Sequence, residues 1–316
     1  MNLQELRIGT RGSQLALYQA NWVREGLIHA HPHLKVTLIK IKTTGDKIQD
    51  APLIKIGGKG LFVKEIEEAL IERRIDLAVH SIKDVPAELP KGLHLSAITK
   101  REDPRDVLIS KDGTLLKDLP PGAKIGTSSL RRQAQLLHFR SDFKLVPLRG
   151  NLDTRLKKLK TMDLDGVILA YAGVKRLGLE DKITEILSTE ICLPAIGQGA
   201  LGIETRMDDE DVEQSIRFLG DPSSAIAISA ERAFLKKLEG GCQVPIAAFG
   251  QINGITLQID GMVGTVDGKR LIRHRVEGPM EKAEELGTKL AELLLSKGAR
   301  EILEEVYQRS GPTIGI

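Results

Sequence analysis

Asp76-Leu77-Ala78-Val79-His80-Ser81-Ile82-Lys83-Asp84-Val85-Pro86 opens as a short apolar run and closes on polar residues and a proline. The run from Asp76 to His80 has the length and composition of a buried strand. Proline after Val85 disfavours any regular element there, which leaves Lys83 and Asp84 in a strand-end loop. Upstream, the pattern predicts a strand over Leu6 to Gly9, an amphipathic helix over Leu15 to His29, an alternating strand over Lys35 to Lys42 and a helix over Phe62 to Arg73. This β-α-β-α order predicts an α/β domain with a largely parallel sheet.

Downstream, Lys100-Arg101-Glu102-Asp103-Pro104-Arg105-Asp106 reads as a polar crossing into a second α/β stretch. There the strands are expected at Ala123 to Gly126, Lys144 to Leu148 and Gly166 to Ala170, with helices at Leu130 to Phe139 and Asp153 to Thr161. Leu193-Pro194-Ala195-Ile196-Gly197-Gln198-Gly199 reads as a second crossing before a strand at Leu201 to Glu204, so the chain is expected to return to its first domain near Ala200. After Asp221-Pro222, which starts a helix in the favoured order, three alternating segments are separated by the hairpin signals Asn253-Gly254 and Asp267-Gly268. A helical tract from Met280 to Tyr307, with a break near Gly298, completes a small α+β domain with a three-stranded antiparallel sheet. The expected domains are residues 1–99 with 200–219, residues 100–199, and residues 220–316.

Composition narrows the function classes. In 316 residues, 41% are hydrophobic and 28% charged, the balance of an ordinary globular protein rather than a disordered or fibrous one. No apolar run is long enough for a membrane helix, and Met1 to Arg11, with Glu5 and Arg7, lacks a signal-peptide core. Net charge is only +3, and 3% aromatic content offers few stacking platforms, so nucleic acid is not the expected partner. Two cysteines, Cys192 and Cys242, make no disulfide framework, and a cytoplasmic location is expected.

The cations gather in short clusters near Gly, Ser and Thr. Thr127-Ser128-Ser129-Leu130-Arg131-Arg132 joins a strand to a helix start, where free N–H groups, hydroxyls and guanidinium groups suit an anion. Arg149-Gly150-Asn151 with Arg155, and Arg11-Gly12-Ser13, repeat the arrangement after other strands, where ligands of open α/β sheets bind. Arginine's planar fork suits carboxylate or phosphate. Gly57-Gly58-Lys59-Gly60 lacks the Lys-Ser/Thr pair of a P-loop and reads as a flap carrying Lys55 and Lys59. His29, His31 and His33 around Pro32 read as a solvated turn rather than a metal site, and Cys192 as a small core residue. Cys242 follows Gly240-Gly241 on an approachable loop, although its spacing alone does not make it a nucleophile.

Glu239-Gly240-Gly241-Cys242-Gln243-Val244-Pro245, His80-Ser81-Ile82-Lys83-Asp84-Val85-Pro86 and Gly126-Thr127-Ser128-Ser129-Leu130-Arg131-Arg132 together closely resemble the porphobilinogen deaminase, or hydroxymethylbilane synthase, family. The likeness extends to Lys55 to Phe62, Leu148 to Asn151 and Leu193 to Ala200, and covers nearly the whole chain in the expected order. Departures, such as Gly12, Gln14, the extra histidines and the tail Ser310 to Ile316, miss every residue the family uses for chemistry.

The resemblance implies an enzyme that joins four porphobilinogen molecules head to tail and releases ammonia at each step. It implies a covalent dipyrromethane cofactor held by a thioether to Cys242, with Asp84 as the catalytic carboxylate. Lys83, Asp84, Ser129, Arg131, Arg132 and Gly150 are implied in cofactor binding, and Arg11, Ser13, Lys55, Lys59, Arg149, Arg155 and Arg176 in substrate binding. Each pyrrole brings two carboxylates, which accounts for cations spread over two domains. Loss of ammonia leaves an azafulvenium-type cation; a carboxylate about 4 Å away at an effective dielectric near 20 is worth on the order of 4 kcal/mol, roughly a thousandfold in rate. The implied fold is two type II periplasmic-binding-protein-like domains with a cleft between them, plus the small C-terminal domain; nothing in the sequence calls for more than a monomer. Arg131, Arg132 and Arg149 are expected to be exposed in the empty cleft. A non-catalytic solute-binding or sensor protein of that fold is the rival reading; it would need neither a reactive cysteine nor the C-terminal domain.

Overall fold

A computed structural model describes residues 3–47, 60–238 and 244–310. The chain forms two compact units. One comprises residues 1–50, 58–102 and 199–225, and the other residues 51–57, 103–198 and 226–316.

The first unit is built on a five-stranded sheet of β1 (Glu5–Thr10), β2 (Lys35–Lys40), β3 (Leu77–Ser81), β4 (Leu93–Ile98) and β10 (Leu201–Arg206). Its order is β2-β1-β3-β10-β4, with β10 antiparallel to both neighbours and the others running together. The helix Gln14–Ala30 covers one face, where Leu6, Ile8, Val23, Leu27, Leu77 and Ile203 form the core. The helix Lys64–Ile71 covers the other, with Ile66, Leu70, Ile75 and Leu93.

The second unit repeats the plan with β5 (Asp106–Ser110), β6 (Lys124–Gly126), β7 (Lys144–Val146), β8 (Gly166–Ala170) and β9 (Glu185–Ile186), in the order β7-β6-β8-β5-β9. Here β5 is the antiparallel strand, so in both sheets the fourth place is filled by the strand that follows a crossing. The same strand order therefore recurs in both sheets, the doubled α/β plan that the resemblance implied. The same unit holds a third, antiparallel sheet of β11 (Ile246–Asn253), β12 (Thr256–Gly264) and β13 (Leu271–Pro279). Its core packs Phe234 of the helix Pro222–Lys237 against Ile259, Leu290 and Leu294.

One detail differs from the sequence expectation. Asp106 is not in a polar crossing; it is the first, fully buried residue of β5. Gly298 does break the terminal helical tract, at φ 99°, between the helices Ala283–Leu294 and Arg300–Ser310. Gly199, where the chain re-enters the first unit, has φ +100°, and a Cβ there would lie 2.3 Å from the Glu102 carbonyl oxygen. Only glycine fits that close passage.

Candidate active site

In the first unit, strand ends and helix starts converge. After β1, Ser13 caps the helix Gln14–Ala30 by accepting from the Ala16 amide at 3.2 Å, which leaves the positive helix end beside Arg11. After β3, the chain makes a short 3-10 turn, Ile82–Asp84, and stops before Pro86. Asp84 is exposed on that turn and Lys83 half-buried. Arg11, Ser13 and Asp84 line one small cavity of about 60 Å³ with Gln19, Phe62 and His80. Arg11 lies 4.3 Å from the Phe62 ring centroid and donates from Nε to Asp46 Oδ1 at 3.2 Å, so the guanidinium is held in place before any ligand arrives. Burial pushes the Asp46 carboxyl up, but the hydrogen bonds from Arg11 and Thr43 outweigh it and hold it below the usual carboxylate range.

In the second unit, the helix Leu130–Phe139 starts at Ser129, whose hydroxyl accepts from the Arg132 amide at 3.5 Å. Arg131 and Arg132 overturn the expectation of exposure: each is 5% exposed, and both are paired with Asp106. Asp106 Oδ2 accepts from Arg131 at 2.7 Å and Oδ1 from Arg132 at 2.7 Å, while Gln198 Nε2 donates to Oδ1 at 2.8 Å. Burial would raise the Asp106 carboxyl, but the two guanidinium groups dominate and hold it far below its ordinary value. Arg132 also donates to the Ile168 carbonyl at 2.9 Å, whereas its Nε is buried without a hydrogen-bond partner. Cys192 is a core residue, as expected. Burial, with Asp106 beside it, pushes its thiol up to about 12, which makes it inert.

The next strand end carries a different kind of arginine. Arg149, half-buried in the loop after β7, has its guanidinium pushed below the ordinary value by desolvation alone. Gly150 follows at φ +107°, where a Cβ would fall 2.6 Å from Thr154, and its carbonyl accepts from Arg155 Nε at 2.8 Å. Arg176 is the last residue of the helix Tyr171–Arg176. Cys242, Lys55 and Lys59 lie outside the described residues. The structure therefore groups Arg11, Ser13 and Asp84 in one cavity, and Arg131 with Arg132 on one carboxylate. Sequence reasoning missed that carboxylate; the signal was an acid directly before the apolar run Val107-Leu108-Ile109.

A family model described as "Porphobilinogen deaminase, dipyromethane cofactor binding domain" matches residues 6–214, and that of the family's C-terminal domain matches residues 225–296. The chain belongs to the porphobilinogen deaminase family. It is 59% identical over 309 residues to porphobilinogen deaminase of Geotalea daltonii, covering 98% of this chain and 97% of that one. The Pelobacter propionicus porphobilinogen deaminase is 56% identical over 306 residues, covering 97% and 98%. Among solved structures, the periplasmic aliphatic sulphonate binding protein of Escherichia coli shows a looser likeness, with TM-score 0.40 and 16% identity over 75% of this chain and 71% of that one. The repeated strand order, not that likeness, fixes the fold. Membership in the family disfavours a non-catalytic solute-binding protein. Among the described residues, no helix is long and apolar enough to cross a membrane.

Two features of the second unit suit a cofactor that carries carboxylates. One is the donor left over on Arg132 Nε, and the other is the desolvated guanidinium of Arg149. Both are cationic groups whose burial an anion would offset.

Proposed function

We propose that the chain is a hydroxymethylbilane synthase, joining four porphobilinogen molecules head to tail with release of ammonia in tetrapyrrole biosynthesis. The observation that carries this reading is the cavity in which exposed Asp84 shares its walls with Arg11 and the helix-capping Ser13. A carboxylate and a guanidinium in one cavity can hold a substrate that bears acids at its rim and develops positive charge at its ring. Arg11 and the helix start beside Ser13 bind the substrate's acetate and propionate groups. Asp84 orients the pyrrole N–H and stabilises the positive charge that grows on the substrate ring as ammonia departs. Lys83, beside it on the turn, adds a cation for the same carboxylates.

Dipyrromethane, when bound through a thioether to Cys242, would supply a nucleophilic free ring end for chain growth. Ser129, Arg131, Arg132 and the loop at Gly150 would hold its carboxylates, with Asp106 fixing the two arginines in register. Arg149, Arg155 and Arg176 receive carboxylates of the lengthening product, as do Lys55 and Lys59. We further propose three domains, residues 1–99 with 200–219, residues 100–199 and residues 220–316, because each span contributes its own sheet. The enzyme is a cytoplasmic monomer in this reading.

Intact mass tests it. Protein supplied with porphobilinogen should weigh two linked pyrrole units more than its sequence, after denaturation and with thiol reductant present. Cys242→Ser should lose both the added mass and turnover, since a serine hydroxyl is a far poorer nucleophile than a thiol. Sequence mass alone in the treated wild type, or an adduct on Cys192, would refute the mechanism.

A further inference from the structure

The loop after β7, residues 148–151, is held by side chains at three consecutive carbonyls. Ser128, just beyond β6, donates its hydroxyl to the Leu148 carbonyl at 3.0 Å and accepts from the Leu148 amide at 2.9 Å. β6 pairs with β7 in parallel up to Gly126 and Val146, and the Thr127 amide still donates to the Val146 carbonyl at 2.9 Å. Beyond it the chain turns into the helix Leu130–Phe139, so a side-chain hydroxyl continues the ladder where the backbone leaves it. Lys158, on the helix Leu152–Thr161, donates from Nζ to the Arg149 carbonyl at 3.2 Å. Arg155 of the same helix donates from Nε to the Gly150 carbonyl at 2.8 Å.

A trans peptide sets its N–H opposite its C=O. Fixing three carbonyls therefore also fixes the next three amides, those of Arg149, Gly150 and Asn151, each turned away from the donor that holds its own peptide. Among the described residues, none of these three amides donates to an acceptor within the protein. Gly150 takes φ +107° in this run, and a glycine left to itself samples many other conformations. Arg149 adds a second reason for the loop to relax. Its half-buried guanidinium bears a desolvation cost that no carboxylate offsets, and a free loop would return it to water. The three side-chain bonds oppose both tendencies.

We propose that Ser128 and Lys158 are positioning residues that lock the 148–151 loop before any carboxylate reaches it, Ser128 from the neighbouring strand end and Lys158 from the helix that follows. The proposal rests on the role given to Arg149 and Gly150 under the proposed function. Both residues act through the backbone they hold rather than on the substrate. Without either latch the loop is competent for only part of the time, and apparent affinity falls by that fraction. A loop competent about one tenth of the time raises KM about tenfold and leaves kcat at saturation within about twofold.

The test measures steady-state kinetics of cofactor-loaded protein on porphobilinogen. Lys158→Met keeps the aliphatic stem and loses the donor, whereas Lys158→Arg keeps a donor. KM should rise about tenfold in Lys158→Met and in Ser128→Ala, and stay within about threefold of wild type in Lys158→Arg and Ser128→Thr. Lys157→Met, at the exposed neighbouring position, should leave KM unchanged. A wild-type KM in Lys158→Met or Ser128→Ala, or a loss confined to kcat, overturns the proposal; so does failure of both conservative variants to keep KM low. Hydrogen exchange of cofactor-free protein gives a second readout. The Leu148 amide should exchange about tenfold faster in Lys158→Met, although Lys158 holds a different peptide, because one loop carries both bonds. An unchanged rate overturns the proposal. This arm needs neither cofactor nor substrate, so its failure is distinguishable from failure of the Cys242 mass test.

Discussion

Replacing Asp106 by asparagine keeps the side chain's shape and removes the one charge shared by two buried arginines. Arg131 and Arg132 are each 5% exposed and each 2.7 Å from an Asp106 oxygen, so in protein prepared without its cofactor both would be left as uncompensated cations. Breaking a buried pair by removing one partner costs about 3–5 kcal/mol, and with two guanidinium groups orphaned the upper end applies. For a unit of this size, about 2–4 °C of melting temperature is lost per kcal/mol, so the unit holding Asp106 should melt roughly 10–20 °C lower. Scanning calorimetry at neutral pH resolves this, and Asp103→Asn is the control. Asp103 pairs with half-exposed Arg105 at the surface and should cost no more than about 1 kcal/mol. The sign of the pH dependence follows from the depressed carboxyl. The stabilisation is fully present above the unfolded value near 3.9 and is lost as pH falls through the lower folded value. The gap between wild type and Asp106→Asn should therefore be constant from about pH 8 to 5 and shrink only below about pH 4. A variant melting within about 2 °C of wild type would refute the argument. The same network revises what leucine at Arg131 or Arg132 would do: it destabilises the unit as well as removing an anion site.

Two further outcomes are expected. Asp84→Asn should lower turnover at least about a hundredfold in an ammonia-release assay while Asp84→Glu retains more, because the former removes the charge and the latter only shifts it; near-normal turnover of the asparagine variant would count against the catalytic role. Arg149→Leu should leave melting within the scatter of surface substitutions, about 0.5 kcal/mol, because desolvation with no opposing carboxylate already burdens that guanidinium. Its KM should rise by about 10- to 100-fold, the worth of a hydrogen bond to a charged group.

The alternating plan of the chain was legible because its signals are local. The helix Leu130–Phe139 and the strand Gly166–Ala170 have the bounds that periodicity predicts, and Gly254 and Gly268, at φ +63° and +69°, occupy the turns that Asn-Gly and Asp-Gly mark. The return near residue 200 follows from the second crossing in the same way. Less legible was anything set by a distant charge. Asp106 looked like part of a solvated crossing because its partners stand 25 and 26 residues away in sequence. Those partners in turn looked exposed, since two adjacent arginines at a helix start give no sign that a buried acid awaits them.

The placement of β10 between β3 and β4 sets a schedule for the chain as it is made. When Ile98 has been synthesised, β3 and β4 each present a bare edge, and the strand that joins them is about a hundred residues away. At about 5–20 residues per second, a ribosome needs roughly 5–20 s to deliver it. During that interval the sheet β7-β6-β8-β5 of the middle segment can close on its own, whereas the first sheet waits open, its apolar strand Leu77–Ser81 unpaired along one side. The N-terminal lobe is thus made first and finished second, and its exposure to chaperones and to aggregation is fixed by the length of the insertion rather than by its own stability.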